Sequence, residues 1–325
     1  MTARLHRAIK IVAALTVLSV IPLPASAQTC SGPVKIIVAY PPGSPDDVIA
    51  RMLAQKLNAP GEAFMVENMP GASGKIGNAA VARAAPDGCT LLVVNSNVAV
   101  QAAGGSKPPY DIVTSFAPVT LLTEAPETIS VNPAVPARTM QELVTLVKAN
   151  PGKYAYASPG FGSSPHLAGE NLFRQTLQLD VAHVPHQGGP PAVIATMGGH
   201  TNIVHLTLPV VASAVKDGKL RMLAVADTRR HPMFPDVPTL GEAGIANHEV
   251  GFWNALLAPY GTPQAIVDTL NRKVNGIMMM SEVRSQLEAM GFSPRTGSQA
   301  ELARHIAEDI TKLRATLART KITLE

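Results

Sequence analysis

The sequence predicts an α/β protein of two lobes, each with a parallel-type sheet covered by helices. Short runs rich in Val, Ile and Leu alternate with segments of helical period, which is the pattern of parallel sheets flanked by helices. Two segments, at residues 122–127 and 249–253, have the features of crossings between lobes. Two crossings mean that both chain ends build one lobe and the middle of the chain builds the other.

Eight strands are predicted in chain order, with helices between them: residues 34–39, 90–95, 128–132, 154–158, 181–184, 202–206, 220–226 and 254–258. Two helices carry apolar stripes that indicate core-facing surfaces, namely Val48, Ile49, Met52, Leu53 and Leu57, and Met140, Leu143, Val144 and Val147. Thr139 with Glu142 and Ser298 with Glu301 fit the capping box that begins a helix. The predicted division is a leader at 1–27, a first lobe at 28–126 plus 250–325, and a second lobe at 127–249. The double connection between the lobes is a natural hinge.

The first 27 residues have the features of a secretory signal peptide. Arg4, Arg7 and Lys10 precede an apolar run at residues 11–23, and Ala25-Ser26-Ala27 supplies the small residues of a cleavage site. The run is shorter than the roughly 18 apolar residues of a membrane helix, and no later stretch reaches that length. We therefore expect export, cleavage after Ala27 and a soluble mature protein.

Charge argues against a nucleic-acid partner. The chain has 27 basic and 23 acidic residues, and loss of the leader removes three basic residues, which leaves a net charge of +1. Nucleic-acid binders concentrate Lys and Arg on one surface, whereas these basic residues are scattered.

The two cysteines are expected to pair, because an exported chain folds in an oxidising compartment. Cys30 lies just before the first predicted strand and Cys89 just before the second. Neighbouring parallel strands would bring both starts to one edge of a sheet. The alternative is two unpaired thiols.

Small polar loops follow four predicted strands, at residues 40–47, 95–97, 158–166 and 186–189. In an open α/β sheet, loops at the carboxyl ends of strands converge on the ligand crevice. Gly and Ser loops that enter a helix leave backbone N–H groups free, and such groups suit a carboxylate. The alternative is that these are ordinary turn residues.

Enzyme and metal motifs fail on inspection. Residues 160–164 do not match G-x-S-x-G, and in the phosphate-loop-like segment 71–76 Ile76 stands where a Ser or Thr is needed. His183 and His186 would point to opposite faces of a strand, and no cluster of Asp, Glu or Cys supports the histidines at 166, 200 and 205. We expect no catalytic residue, metal or cofactor.

A series of collinear motifs resembles a known family, the Bug-type periplasmic receptors of tripartite tricarboxylate transporters. The motifs, in order, are IVAYPPG with DVIAR (37–43 and 47–51), VENMPGASG (66–74), AAPDG (84–88), FAPVT (116–120), YAS (156–158), GSSPHLAGE (162–170), VPHQG (184–188), GKLR (218–221) and PDVPT (235–239). The resemblance extends from about residue 34 to residue 317.

The resemblance implies a two-lobed periplasmic binding protein of type II, a Venus flytrap, with a ligand buried between the lobes. It implies the following ligand-binding residues: Gly43, Ser44, Asp47, Asn95, Ser96, Ser158, Gly160, Ser163, Ser164, His186 and Thr207. The expected partners are a small organic acid or amino-acid-like ligand and membrane transporter subunits, and the expected state is a monomer. A ligand sensor for a membrane signalling partner and a soluble α/β enzyme are the alternatives.

The first loop departs from the family, which commonly has three glycines followed by threonine and aspartate. Here Ser44, Pro45 and Asp46 occupy the later part. Asp46 either lies beside the ligand, where it would disfavour a polyanion and suit an ammonium group, or begins a helix and faces solvent. We expect it to face solvent.

Overall fold

The computed structural model describes residue 30 and residues 32–104, 108–245 and 251–320, without the side chains of 319 and 320. The predicted signal peptide, its cleavage site after Ala27, and positions 249 and 250 of the second predicted crossing lie outside the described residues. None of the helices in the described ranges combines the length and apolar character needed to cross a bilayer.

Strands and helices alternate through most of the chain. The strands are β1 (Val34–Val38), β2 (Phe64–Asn68), β3 (Thr90–Asn95), β4 (Phe116–Val131), β5 (Tyr154–Ser158), β6 (Val181–Pro185), β7 (Ile203–Thr207), β8 (Arg221–Ala226), β9 (Gly251–Pro259) and β10 (Ser293–Pro294). The helices are α1 (Pro45–Leu57), α2 (Lys75–Ala82), α3 (Asn97–Gly104), α4 (Met140–Lys148), α5 (Ser164–Glu170), α6 (Gly189–Met197), α7 (Leu208–Lys216), α8 (Gln264–Met278), α9 (Ser281–Ala289) and α10 (Gln299–Thr320). A 3₁₀ turn (Ala72–Gly74) precedes α2, and a π-helical segment (Asn171–Thr176) continues α5.

The strands form two sheets that share β4. In the first sheet β1 pairs in parallel with β2 and β3, while β9 runs antiparallel to β3 and β4 antiparallel to β9. In the second sheet β5 pairs in parallel with β6 and β7, while β4 runs antiparallel to β7 and β8. Both sheets are therefore mixed rather than purely parallel. Strand β9 runs opposite to β1, β2 and β3 in the first sheet, and β4 runs opposite to its neighbours β7 and β8 in the second.

Strand β4 is the element that passes from one sheet to the other. Its partner in the first sheet is β9, up to the pair Pro126 and Gly251. From Glu127 onward its partners are β7 and β8, with Thr207 and Ala226 opposite Glu127. The strand predicted at 128–132 is only the end of this 16-residue element. The lobe boundaries at 126/127 and 249/250 remain predictions.

Each sheet has apolar side chains packed on both faces. Ile36 and Val38 of β1 pack with Ile49 and Leu53 of α1 on one face of the first sheet, and on its other face β3 and β9 pack with α10. The second sheet packs against α4 on one face and against α6 and α7 on the other. Most of the two predicted apolar stripes is buried, as their period indicated. Burying one such Leu or Ile contributes roughly 1.5–3 kcal/mol.

A disulfide and a helix cap stabilise segments that flank the first sheet. The sulfur atoms of Cys30 and Cys89 are bonded at 1.98 Å, and the N–H of Lys35 donates to the carbonyl of Cys89 at 2.9 Å. The link joins the segment before β1 to the segment before β3, as the expected pairing requires. At α10 the capping box is complete, because the N–H of Glu301 donates to Ser298 Oγ at 3.2 Å and that of Ser298 donates to Glu301 Oε2 at 2.7 Å.

Candidate functional site

The carboxyl edges of the two sheets meet where β4 changes partners. Asn95 at the end of β3 lies opposite Asn254, near the start of β9. Strand β4 leaves this edge at Pro126 and enters the second sheet at Glu127, opposite Thr207 at the end of β7. The loops after β1, β3, β5, β6 and β7 therefore extend into the space between the sheets, as expected of a ligand crevice.

The loop after β1 is held by its own side chains. Ser44 Oγ accepts the N–H of Asp47 at 3.3 Å and caps α1, while Gly43, whose φ of +81° suits glycine, donates its N–H to Asp47 Oδ2 at 2.9 Å. Asp47 also accepts from Arg51 Nε and Asn68 Nδ2, each at 2.9 Å. Burial acts to raise the pKa of Asp47, but these hydrogen bonds outweigh it and lower the pKa below its usual value. The Asp47 carboxylate thus holds the loop.

Asp46 does not face solvent, and that expectation is wrong. The residue is only 1% exposed, and Asn95 Nδ2 donates to its two carboxylate oxygens at 3.0 and 2.9 Å. Asn95 lies at the end of the neighbouring strand β3, so its hydrogen bonds hold the Asp46 side chain against the edge of the sheet and away from solvent. Burial raises its pKa to about 7, although hydrogen bonds from Asn95 and Asn254 oppose the shift.

A side-chain relay connects the two sheets. Asn97, the first residue of α3, donates through Nδ2 to the hydroxyl of Tyr40 at 2.8 Å. Its Oδ1 accepts the backbone N–H of Ser164, at the start of α5, at 2.7 Å. Sequence reasoning placed Tyr40 and Asn97 in polar loops without selecting them. Asn97 could have been selected because it is the third consecutive polar residue at the end of a buried strand.

The loop between β5 and α5 is organised by two serines. Ser163 Oγ accepts the N–H of His166 at 3.3 Å, which caps α5, and donates to the carbonyl of Gly160 at 2.7 Å. Ser158 Oγ lies 2.7 Å from His183 Nε2 and accepts the N–H of Gly160 at 3.2 Å. Both hydroxyls therefore bond within the loop region.

Four neighbouring rings pack in series beside this loop, and one pair of them, His166 and His183, is stacked. The ring centroids of Tyr156 and His183 are 4.9 Å apart, those of His183 and His166 3.9 Å, and those of His166 and Phe161 4.7 Å. Burial lowers the pKa of His166 to about 4 and, with the adjacent His166 and nearby basic groups, that of His183 to about 3. Both rings are therefore neutral at pH 7. In the described ranges no three His, Cys, Asp or Glu residues group as metal ligands.

Three polar groups near the sheet edges have buried atoms without a protein partner. They are Ser96 Oγ, His186 Nε2 and both carboxylate oxygens of Glu127. Burial alone raises the pKa of Glu127 to about 8. Sequence reasoning did not select Glu127, because its burial comes from pairing with two strands that are distant in sequence.

The predicted site residues fall into two groups. One group lies on the first sheet and consists of Gly43, Ser44, Asp47, Asn95 and Ser96. The other lies on the second sheet and consists of Ser158, Gly160, Ser163, Ser164, His186 and, at the end of β7, Thr207. The hydrogen bond between Asn97 and Ser164 joins the two groups. Their ligand-binding roles remain predictions.

A cavity of about 420 Å³ lies beside these loops. Its walls are the start of α1 with Gly43 and Pro45, helix α7, and the end of α9 with Met290. The cavity is therefore lined by elements that pack on both sheets.

Comparisons with known proteins agree on one family. Residues 47–322 match the model of the tripartite tricarboxylate transporter family receptor. Protein BugT of Bordetella pertussis is 33% identical over 293 residues, which are 89% of this chain and 90% of BugT. The structure of periplasmic binding protein BugD superposes with a TM-score of 0.83 at 29% identity, covering 90% of this chain and 98% of BugD. MatC from Rhodopseudomonas palustris with bound malate superposes with a TM-score of 0.81 at 31% identity, covering 88% of this chain and 98% of MatC.

Proposed function

This chain belongs to the tripartite tricarboxylate transporter receptor family, and from that premise we propose that it binds a small carboxylate-bearing molecule between its two sheets and delivers it to membrane transporter subunits. Members of the family are periplasmic solute-binding proteins and not enzymes. The finer proposal concerns the guest and its delivery.

The observation that carries the proposal is the meeting of two carboxyl edges at Pro126 and Glu127, with polar loops on both sides. The loops contain serine caps and glycines rather than lysine or arginine. Backbone N–H groups and hydroxyls at the starts of helices favour the binding of a carboxylate, even where no Lys or Arg side chain is present to pair with it. MatC, a protein of similar structure, has malate bound, and malate is a small carboxylate.

Closure of the two sheets around the guest would couple binding to delivery. Strand β4 carries one of the two proposed connections, and the relay from Tyr40 through Asn97 to Ser164 spans the two sides. A guest that contacts both sides stabilises the closed arrangement, and a membrane partner can then discriminate between closed and open receptor. Delivery follows if the partner prefers the closed state.

A thermal-shift screen of the mature protein tests the binding proposal. The panel contains malate, succinate, adipate, citrate, aspartate and glutamate, with dimethyl malate as the control that lacks free carboxylates. A guest at 100 times its Kd stabilises the folded state by about 2.7 kcal/mol, which raises Tm by several degrees, whereas the diester leaves it unchanged. The absence of any shift with carboxylates contradicts the proposal. Delivery is tested by uptake of the best guest in cells with and without the gene.

A further inference from the structure

We infer that Glu127 is the residue that receives a positively charged nitrogen of the guest, so that the preferred ligand is a zwitterion with an ammonium group beside its carboxylate. The inference rests on the proposed function and narrows its ligand class. The starting observation is a carboxyl side chain that is fully buried and whose two oxygens have no partner among the described residues.

The position of Glu127 places it at the crevice rather than deep in a core. It is the first residue of β4 to pair in the second sheet, directly after Pro126, the last to pair with β9. The residues opposite it, Thr207 and Ala226, end β7 and β8 at the carboxyl edge. Two pairs further along the sheet, Ile129 already packs in the apolar core. Glu127 is therefore the point where the core gives way to the space between the sheets.

Neighbouring groups leave its acceptor capacity unused. The hydroxyl of Thr128 donates to the carbonyl of Leu206 at 2.8 Å, and no described side chain, that of Thr207 included, donates a hydrogen bond to the Glu127 carboxyl oxygens. Burial is the sole cause of the raised pKa of Glu127, so no described cation stabilises its charged form. At pH 7 the raised pKa leaves this carboxyl group protonated in the ligand-free protein, and an incoming ammonium would stabilise its ionised form through a charge-assisted hydrogen bond.

Asp46 and Asp47, the buried carboxyl groups of the loop after β1, differ from Glu127 because side chains and backbone already donate to them. Among the described residues Glu127 has no such donor, and this difference selects it as the group that can receive the guest.

Matched ligand pairs test the inference by calorimetric titration of the mature protein: aspartate against succinate, glutamate against glutarate, and β-alanine against propionate. We expect the amine-bearing member of at least one pair to bind at least tenfold more tightly, because a hydrogen-bonded charge pair is formed. In Glu127→Gln that advantage should be lost, while affinity for the amine-free member stays equal or improves. Glu127→Asp, which keeps the charge, should retain a preference for the amine.

Ser130→Ala is the control. Ser130 Oγ is also buried on β4 and has no partner among the described residues, but Ser130 lies inside the second sheet and not at its edge. This variant should leave the preference unchanged, and circular dichroism checks the folding of each variant. If Glu127→Gln does not fold, the preference in the wild type and in Glu127→Asp decides. Equal or tighter binding of the amine-free member in every pair overturns the inference but leaves the proposed function standing. Loss of both members of a pair to the same extent in a folded Glu127→Gln also overturns it. Binding of no carboxylate overturns both proposals.

Discussion

Asn97 Oδ1 accepts the backbone N–H of Ser164 at 2.7 Å, so that a side chain at the start of one helix bonds the start of another helix on the opposite sheet. The same Asn97 donates to Tyr40 at 2.8 Å. Because Asn97 is buried, both bonds are shielded from competing water. This hydrogen bond therefore connects the two sides of the crevice in a defined geometry.

Asn97→Ala should weaken ligand binding by roughly threefold to tenfold, since each lost hydrogen bond is worth about 0.5–1.5 kcal/mol. Titration with the best guest from the screen measures the change. Asn78→Ala is the matched control, because Asn78 is buried and donates to Tyr110 at 2.9 Å within the first sheet. Equal losses of affinity in both variants would show that Asn97 acts only through general stability.

The double variant Ser163→Ala with Ser164→Ala should reduce ligand affinity while the protein remains folded. Loss of the Ser163 cap costs about 1 kcal/mol of stability, and both hydroxyls leave the predicted binding loop. Ser298→Ala removes an equivalent cap from α10, far along the chain, and should lower Tm similarly without changing affinity. An unchanged Kd in the double variant would place the pocket elsewhere.

Glu127 should make the ligand-free protein less stable as pH rises. The ordinary pKa of a glutamate is 4.5 and that of folded Glu127 is about 8, so between these values the folded state binds more protons than the unfolded chain. Stability from this group is fully present below pH 4.5 and is lost as pH rises through 8.

Urea midpoints of wild type and Glu127→Gln between pH 5 and 9 measure this effect. The stability advantage of the variant should grow by up to roughly 1.4 kcal/mol per pH unit in the window. Thr207 and Ala226 opposite Glu127 do not titrate, and His205, on the same strand as Thr207, is common to both proteins. Parallel stability curves would contradict an isolated buried carboxyl.

Replacing both cysteines by serine should lower the free energy of unfolding by about 2–4 kcal/mol, because the bond between Cys30 and Cys89 closes a loop of 59 residues in the unfolded chain. Denaturation of the variant, and of the wild type with and without reductant, measures the loss. Intact mass of the non-reduced wild type should be two hydrogens below that of the reduced form. A wild type with two free thiols would refute the link.

Periodicity and composition predicted the α/β class and most strands, because buried strands such as β3 and β8 contain continuous apolar runs. Strand β2 was missed, since an edge strand with Met65 42% exposed lacks that signal. The length of β4 was missed, since the stretch that contains Pro126 was predicted as a crossing between lobes and only residues 128–132 as a strand. The strand accommodates Pro118 at a shift of register with β9.

Site residues were harder to predict than strands. Loop composition identified the polar segments after β1, β3, β5 and β6, but it could not tell which side chains bond to one another. Asp47 and Ser158 form hydrogen bonds within their own loops, whereas Glu127 has no hydrogen-bond partner in the part of the chain that the structure describes. These differences arise from pairings between distant strands, which one sequence does not reveal.

One strand, β4, supplies Val119 and Leu122 to the core of one sheet and Ile129 and Val131 to the core of the other. Detaching β4 would expose both hydrophobic cores at once. The two halves of the molecule are therefore expected to unfold in one cooperative transition. Neither half can be excised as an autonomous folding unit without taking apart the other, and heating should melt both together.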